Sequence, residues 1–526
     1  MKKGKTENPN VLQVKSTEAK QKENEKTLKK ELKKDARKLS IEEKLALKVQ
    51  AKQLKNEQKT INKTQKQELK TQKKFQKQAK KEQKKLEKQK IVLDKEKEFG
   101  KRLIDKNSIA NWFKIDNAGN IYPSIKEENW SFVFRVSAVL KDKVNPDIMQ
   151  RAIEDIAPRF PTFFVSVKNG FFWNYFEALG YTPKLKLEHK FPCSSFYHTN
   201  TKKHSIRFVY YNNRISFECF HALCDGRSAL KLFNSLLHRY FLLQGKKIES
   251  FEGCLNALDR PKPEETDDAF FIHSDNGKKQ KHKEEKALKI KGVEEEYGVI
   301  NTTLGIMSVS ELKAKAKEYN TSMFIYLLAV LGYTIYKRNK NSKKPVRLSV
   351  PIDLRQFFET ETLRNFSAYI NVTIDTKKEQ TIQSVIAVVE EEFKKINKEY
   401  LKSFINSNTA IQKNKFIRIL PLFIKKIFIR LFFNLWGENY QTLAVSNLGL
   451  AKVPNEFLDY VDRYEVNLGA PKYNSKSVGV VSLGDKLVWT FSSKIKENRT
   501  EKDFFNYLAN DGVKIKLESN RRDIYA

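Results

Sequence analysis

The chain has 526 residues, and its 40% hydrophobic and 12% aromatic content excludes disorder over the whole chain. At roughly 100–200 residues per domain, this length predicts two to four domains. The net charge of +37 would suit nucleic acid, an anionic membrane or a phosphate-bearing cofactor, but Lys outnumbers Arg by 80 to 20. Proteins that recognise bases and phosphates use mainly Arg, because its guanidinium forms two parallel hydrogen bonds. The excess of Lys therefore indicates a general bias of the amino-acid composition rather than specific nucleic-acid binding.

The first 100 residues carry 32 Lys and Arg against 15 Asp and Glu, which is almost half of the net charge. Residues 10–99 lack Gly and Pro and are mostly Lys, Gln and Glu, which predicts a long charged helix ending at Gly100. Apolar residues recur at seven-residue steps only in places. Three alternatives stay open for this segment: a solvated helix, a weak coiled coil that joins copies of the chain, or a basic arm that binds RNA or a membrane.

Targeting and covalent features are sparse. The four cysteines form no CxxC pair and have no clustered histidines, which argues against disulfides or structural zinc and favours a reducing cytoplasm. No apolar segment follows the basic amino terminus, so no signal peptide is predicted. Residues 321–336 and 416–436 are too short or too interrupted by charge to span a membrane. We expect a cytoplasmic protein without a bound metal.

From residue 101 onward, predicted strands and helices alternate. Residues 131–140 and 162–167 predict strands, and Asn145 before Pro146 predicts the start of a helix that runs to Ile156. Further strands are predicted at 206–211 and 215–220, joined by Asn212 and Asn213. Residues 262–292 are dense in charge without an apolar period, which predicts a solvated linker.

Predicted helices and strands also alternate in the second half of the chain. Ser308 and Glu311 have capping-box spacing and predict a helix, and an apolar helix follows from Thr321. Strands are predicted at 347–352, 367–374, 441–446 and 486–491.

One short pattern carries chemistry: His221-Ala222-Leu223-Cys224-Asp225-Gly226, between a predicted strand and the predicted helix 227–243. A histidine at a strand end can project into a cleft, and its near-neutral pKa suits proton removal from a hydroxyl or amine. Asp225 can accept an ion pair from an arginine, and Gly226 leaves room for the backbone at the helix start. Taken alone the pattern is unspecific, so a structural histidine is the alternative.

Other segments, together with this one, resemble the CoA-dependent acyltransferase superfamily that includes chloramphenicol acetyltransferase, the condensation domains and the alcohol acyltransferases. The matching segments, in order, are 157–161, 169–173, 220–226, 350–355, 363–366 and 445–449. The resemblance covers residues 108–510 and is closest to the bacterial alcohol-acetyltransferase-like branch. Phe220 departs from the pattern, since condensation domains have a second histidine there.

The resemblance implies an α/β fold (α+β, two-layer) with two chloramphenicol-acetyltransferase-like lobes of mixed sheets and helices, residues 101–295 and 296–526, after the N-terminal helix. It implies an enzyme that transfers an acyl group from acetyl-CoA or another acyl-CoA to a small alcohol or lipid, most simply by O-acetylation. His221 would be the general base in a tunnel between the lobes. Asp225 and Gly226 would support the position of His221. Arg355 would be the ion-pair partner of Asp225, with Arg135 as the second candidate for that partner.

Several alternatives stay open. Ser446 and Asn447 are candidate donors to the oxyanion or contacts of the acceptor, or else a polar strand-end turn. Cys224 is a small buried thiol rather than a nucleophile, since no second base is evident. The segment 415–436 is an amphipathic helix on a membrane surface or a basic-faced helix packed on the second lobe. The protein as a whole is an O-acyltransferase, an N-acyltransferase, or a non-catalytic scaffold recruited by its basic helix.

Overall fold

The computed structural model describes residues 112–521, apart from 126–131, 197–202, 281–284, 437 and 470–472, together with Val49 and Lys52. The chain divides into two units, Met1–Ser108 and Ile109–Ala526. Of the predicted N-terminal helix, only Val49 and Lys52 are among the described residues, and both are helical and exposed. The rest of that helix and its predicted end at Gly100 lie outside the described residues. The second unit is described below.

A five-stranded sheet forms the first lobe, with strand order β12-β2-β7-β6-β5. Its strands are β2 (Val133–Leu140), β5 (Lys186–Leu187), β6 (Ile206–Tyr211), β7 (Arg214–Phe220) and β12 (Val461–Leu468). Helices α2 (Pro146–Ile156) and α3 (Gly226–Leu243) bury their apolar residues against it. Asn145 caps α2 as predicted, because its side chain accepts from the backbone N–H groups of Asp147 and Ile148 at 3.1 Å.

A seven-stranded sheet forms the second lobe, with order β10-β9-β11-β13-β14-β8-β15. Its strands are β8 (Asn301–Ser308), β9 (Val346–Asp353), β10 (Ser367–Ile374), β11 (Leu443–Leu450), β13 (Lys476–Leu483), β14 (Lys486–Ser493) and β15 (Lys516–Ser519). It packs on helices α5 (Val309–Glu318), α6 (Met323–Arg338), α7 (Ile382–Lys394) and α12 (Arg499–Asn510). The fully buried α6 residues explain the apolar run after Thr321.

Shorter elements complete the described chain. A three-stranded sheet joins β1 (Trp112–Lys114), β4 (Asn174–Ala178) and β3 (Val165–Asn169) in that order. The remaining helices are α1 (Ile121–Ile125), α4 (Ala269–Ile272), α8 (Lys398–Lys413), α9 (Lys415–Ile419), α10 (Leu422–Trp436) and α11 (Phe457–Tyr460). No helix in the described part of the chain is both long and apolar enough to cross a membrane.

The segment 262–292, expected to be solvated, is partly buried. Glu265 pairs with Arg159 in the interior, where the Arg159 Nη2–Glu265 Oε1 distance is 2.6 Å. Ala269 and Phe270 on α4 pack in a small core with Phe366. Charge density alone was therefore misleading, because a carboxylate with a buried guanidinium partner can lie inside the protein.

Strand β12 connects the two lobes. It pairs antiparallel with β2 of the first sheet, whereas β11 and β13, its neighbours in sequence, lie in the second sheet. The sheet of the first lobe therefore includes a strand from the second predicted range. The division into 101–295 and 296–526 stays a prediction.

Candidate active site

His221 is the first residue after β7, as the sequence predicted. Its backbone N–H donates to the carbonyl oxygen of Phe132 at 2.9 Å, which continues the pairing of β7 with β2. The half-buried imidazole stacks on Tyr122 of α1 with ring centroids 4.8 Å apart and meets the ring of Phe134 edge-on at 5.1 Å. Two aromatic rings therefore fix the plane of the imidazole.

The tautomer of His221 follows from its neighbour Asn365. The Nδ2 amide of Asn365 lies 3.4 Å from the carbonyl oxygen of Ala222 and 3.1 Å from Oδ2 of Asp116. A backbone carbonyl only accepts hydrogen bonds, so this nitrogen points there and the amide oxygen faces His221 Nδ1, 3.2 Å away. Because an amide oxygen cannot donate, Nδ1 carries the proton and Nε2 keeps its lone pair.

Burial lowers the pKa of His221 below its ordinary value. A hydrogen bond to its own backbone, the charge of Asp225 and the hydrogen bond with Asn365 act in the opposite direction but do not cancel the effect of burial. The imidazole is therefore neutral at neutral pH. A neutral ring with an unprotonated Nε2 is the form that a general base requires.

Asp225 forms the N-cap of α3 and does not contact His221 through a hydrogen bond in the described structure. Its Oδ1 accepts from Ser228 N at 3.0 Å, and its Oδ2 accepts from Arg355 Nη1 and Phe366 N, both at 2.8 Å. Burial alone would raise the pKa of this carboxyl, but the guanidinium of Arg355 and these donors outweigh it and hold the pKa below its ordinary value. Asp225 is thus a buried, ionised anchor.

Arg355 ties that anchor to the second lobe. Its guanidinium also donates to Asp353 Oδ1 at 3.0 Å, to Ser228 Oγ at 2.9 Å and to the carbonyl oxygen of Arg364 at 2.6 Å. The reserve candidate Arg135 lies elsewhere, paired with Glu218 through its Nη2 at 2.7 Å and with Glu188. The ion pair thereby holds the loop that carries Asn365 against the turn that carries His221.

Gly226 opens α3 against β11. A Cβ atom on Gly226 would lie 2.5 Å from Cδ2 of Leu448, so any side chain at this position would require the end of the Leu448 side chain to shift. Asn447, next to Leu448, accepts from Gly449 N through Oδ1 at 2.8 Å, and Ser446 lies opposite Gly479 on β13. The end of β11 therefore reaches the motif through Leu448, and the roles of Ser446 and Asn447 stay predictions.

Cys224 is fully buried, and burial raises the pKa of its thiol, so the reactive thiolate is disfavoured there. Its Sγ lies 3.6 Å from Sγ of Cys219, which is also fully buried. These contacts agree with the small buried thiol that the sequence favoured over a nucleophile.

Three residues of the site, Asn365, Asp116 and Tyr122, were not predicted from the sequence. Asn365 lies in a matching segment, but nothing in that segment indicates that it faces a residue 144 positions earlier. Asp116 and Tyr122 lie before the first strand that the sequence predicted. Tertiary contacts alone bring them to His221, so no local spacing could have identified them.

A cleft of about 470 Å³ lies between the two large sheets. Its lining includes Arg135, Glu188, Arg214, Glu465 and Glu518 and does not include His221, as far as the described residues define it. A tunnel that reaches His221 from both sides therefore stays an expectation.

Comparisons with known proteins address the fold. Neither a protein-family model nor a curated protein matches the sequence. The starter condensation domain of rhizomide synthetase, in complex with C8-CoA, has a TM-score of 0.50 at 10% identity, over 77% of this chain and 98% of that one. The first condensation domain of the calcium-dependent antibiotic synthetase, in complex with a substrate analogue, gives 0.50 at 10% identity, over 77% and 96%.

A trichothecene 15-O-acetyltransferase from Fusarium sporotrichioides is also similar, with a TM-score of 0.45 and 10% identity, over 76% of this chain and 94% of that one. At about 10% identity, structural similarity is evidence for the fold alone. The similarity to the two condensation domains confirms the predicted two-lobe α/β fold. The alcohol-acetyltransferase branch stays a prediction. This chain has the two-lobed fold of the condensation domains that it matches.

Proposed function

We propose that the protein is an acyl-CoA-dependent acyltransferase with His221 as its general base. The observation that carries the proposal is the oriented, neutral imidazole, which donates from Nδ1 to Asn365 and has no hydrogen-bond partner at Nε2 among the described residues. The complex of a structural neighbour with C8-CoA supports an acyl-CoA donor. The contact of His221 with Asn365 supports catalysis over a scaffold role, because a scaffold has no need for a fixed tautomer.

In the proposed reaction, Nε2 of His221 takes the proton of an acceptor hydroxyl while the hydroxyl oxygen attacks the thioester carbonyl carbon. The tetrahedral oxyanion then collapses, the carbon–sulfur bond breaks, and the thiolate of CoA takes the proton back from Nε2. Ser446 and Asn447 are the proposed donors to the oxyanion. The O-acetylation of a small alcohol or lipid is the simplest form of the proposal. An amine acceptor would lose its proton to the same nitrogen, which makes N-acylation the alternative.

A thiol-release assay on the full chain tests this proposal. Acetyl-CoA and longer acyl-CoAs would be offered with panels of alcohols, amines and sterols, and release of free CoA would be followed beside mass analysis of the acceptor. We expect acceptor-dependent thiol release and an acylated product. If no donor and acceptor pair exceeds the His221→Ala background, the proposed function is wrong and the scaffold alternative gains.

The pH dependence of the reaction tests the contact with Asn365. Because only neutral His221 accepts a proton, kcat/KM should rise with pH along an acid limb centred below pH 6.5, the ordinary pKa of histidine. The hydrogen bond with Asn365 raises the pKa, so Asn365→Ala should move this limb to still lower pH. It should also reduce kcat/KM at neutral pH by roughly 2- to 10-fold, the value of one net hydrogen bond. A limb that moves to higher pH would contradict the assigned tautomer.

A further inference from the structure

Helices α9 and α10 expose apolar side chains that a helix ordinarily buries. The α9–α10 face consists of Phe416, Ile419, Phe423, Ile427, Phe428 and Leu431, whose exposed fractions run from 52% for Leu431 to 84% for Phe416. On α10, residues 423, 427 and 431 follow each other at four-residue steps and form one outward stripe.

The orientation of α10 is fixed by a lysine on its inner side. Lys425 is only 3% exposed, and its Nζ donates to the carbonyl oxygens of Phe172 at 3.0 Å and Arg418 at 3.2 Å. The same ammonium lies 3.5 Å from the ring centroid of Trp173. Because these contacts hold the polar residue inside, α10 cannot rotate to bury the outward stripe without losing them.

The turn between β3 and β4 extends the apolar surface. The carbonyl oxygen of Phe171 accepts from Leu422 N at 2.7 Å, so this turn lies beside the start of α10. The side chains of Phe171 and Phe172 are themselves exposed, by 71% and 42%. Large exposed apolar patches on soluble proteins mark sites that bind a partner or a membrane.

The charge around the face indicates its occupant. Between Tyr400 and Gly437 the chain has seven Lys and Arg residues and no Asp or Glu. Lys413, Lys415, Arg418 and Arg430 are exposed beside the apolar residues. A second copy docked face to face would place these cations against each other, whereas an anionic lipid surface would neutralise them while the apolar residues enter the interface.

We propose that the α9–α10 face docks the protein onto the surface of an anionic lipid bilayer. The docked helix lies close to the site: Arg430 Nε donates to the carbonyl oxygen of Ser124 at 2.9 Å on α1, the helix whose Tyr122 stacks on His221. Docking does not depend on the proposed acyl transfer, and it is tested by binding alone.

The test is co-sedimentation of the full chain with vesicles of phosphatidylcholine, with or without phosphatidylserine. The wild type should bind the vesicles that contain phosphatidylserine, and the triple variant Phe423→Ser/Ile427→Ser/Leu431→Ser should bind about 100-fold more weakly. The matched control Val293→Ser/Leu258→Ser/Leu517→Ser removes three apolar side chains that are also more than half exposed, at sites away from the face. This control should bind as the wild type does.

A second pair of variants separates the face from the basic residues 1–100. Lys415→Gln/Arg418→Gln should weaken binding to phosphatidylserine by about 5-fold per charge, and Lys313→Gln/Lys317→Gln, which removes equal charge from exposed positions on α5, should weaken it less. Circular dichroism would verify that each variant is folded. The proposal fails if the wild type does not bind anionic vesicles, if the triple variant binds like its control, or if the triple variant instead abolishes self-association.

Discussion

Replacing His221 by alanine is expected to lower kcat/KM for acyl transfer by about 10²–10⁴-fold, the usual contribution of a positioned general base. The physical reason is that the neutral imidazole of His221 donates from Nδ1 to Asn365 and offers Nε2 as the proton acceptor. The measurement is initial-rate thiol release across acceptor concentrations, so that kcat and KM are separated. The loss should appear in kcat, because the ring removes a proton in the transition state and contributes little to acceptor binding.

The matched control is His238→Ala, which also deletes an imidazole whose pKa is lowered by burial. His238 lies on α3 and bonds the carbonyl oxygen of Ser250 through Nε2 at 3.1 Å, so its loss should cost stability and leave the rate of folded protein unchanged. Equal rate losses in the two variants would mean that His221 acts through the fold, and the general-base role would have to be abandoned.

Replacing Asp225 by alanine is expected to lower the free energy of unfolding by about 3–5 kcal/mol, because Arg355 would lose a buried partner. The same change deprives Ser228 N and Phe366 N of their acceptor. His221 would then be misplaced while its imidazole remains, so activity should fall but stay above that of His221→Ala. Urea denaturation and thiol release on the same preparation measure the two effects.

Asp353→Asn is the control for the Asp225 prediction, since Asp353 is the second carboxylate on Arg355 and is less buried. Loss of its charge should cost about 0.2–1 kcal/mol, in the range of partly exposed pairs. The double variant Asp225→Ala/Arg355→Met should recover part of the lost stability, because it removes the uncompensated cation as well. If Asp225→Ala costs no more than Asp353→Asn, the buried pair is not the anchor of the turn.

Local patterns predicted much of the fold. Asn145 before Pro146, and Asn212 and Asn213 between two apolar strands, predicted elements within a few residues of the observed bounds, because caps and hairpin turns act over three or four residues. The position of His221 at a strand end was predictable for the same reason, since a strand and a helix on either side of the motif leave only a short turn.

Features that depend on distant partners were not predictable. Glu265 looked like part of a solvated linker, but Arg159 offers it a buried guanidinium. Strand β12 carries Arg463, Glu465 and Asn467 in alternation, a pattern typical of an exposed edge, and yet these residues are buried because the second sheet covers them. The contact of Asn365 with His221 joins the two lobes and has no local signature.

Strand β12 has a consequence for how the two lobes could be separated. Every residue of β2 is buried, and β12 occupies one whole edge of that strand. A fragment that ended before residue 461 would present this edge unpaired, an open template for other chains, and would aggregate rather than fold as a free lobe. The first lobe therefore depends on a strand from the second half of the sequence, and we expect the two lobes to unfold together and neither to be exchangeable between proteins without that strand.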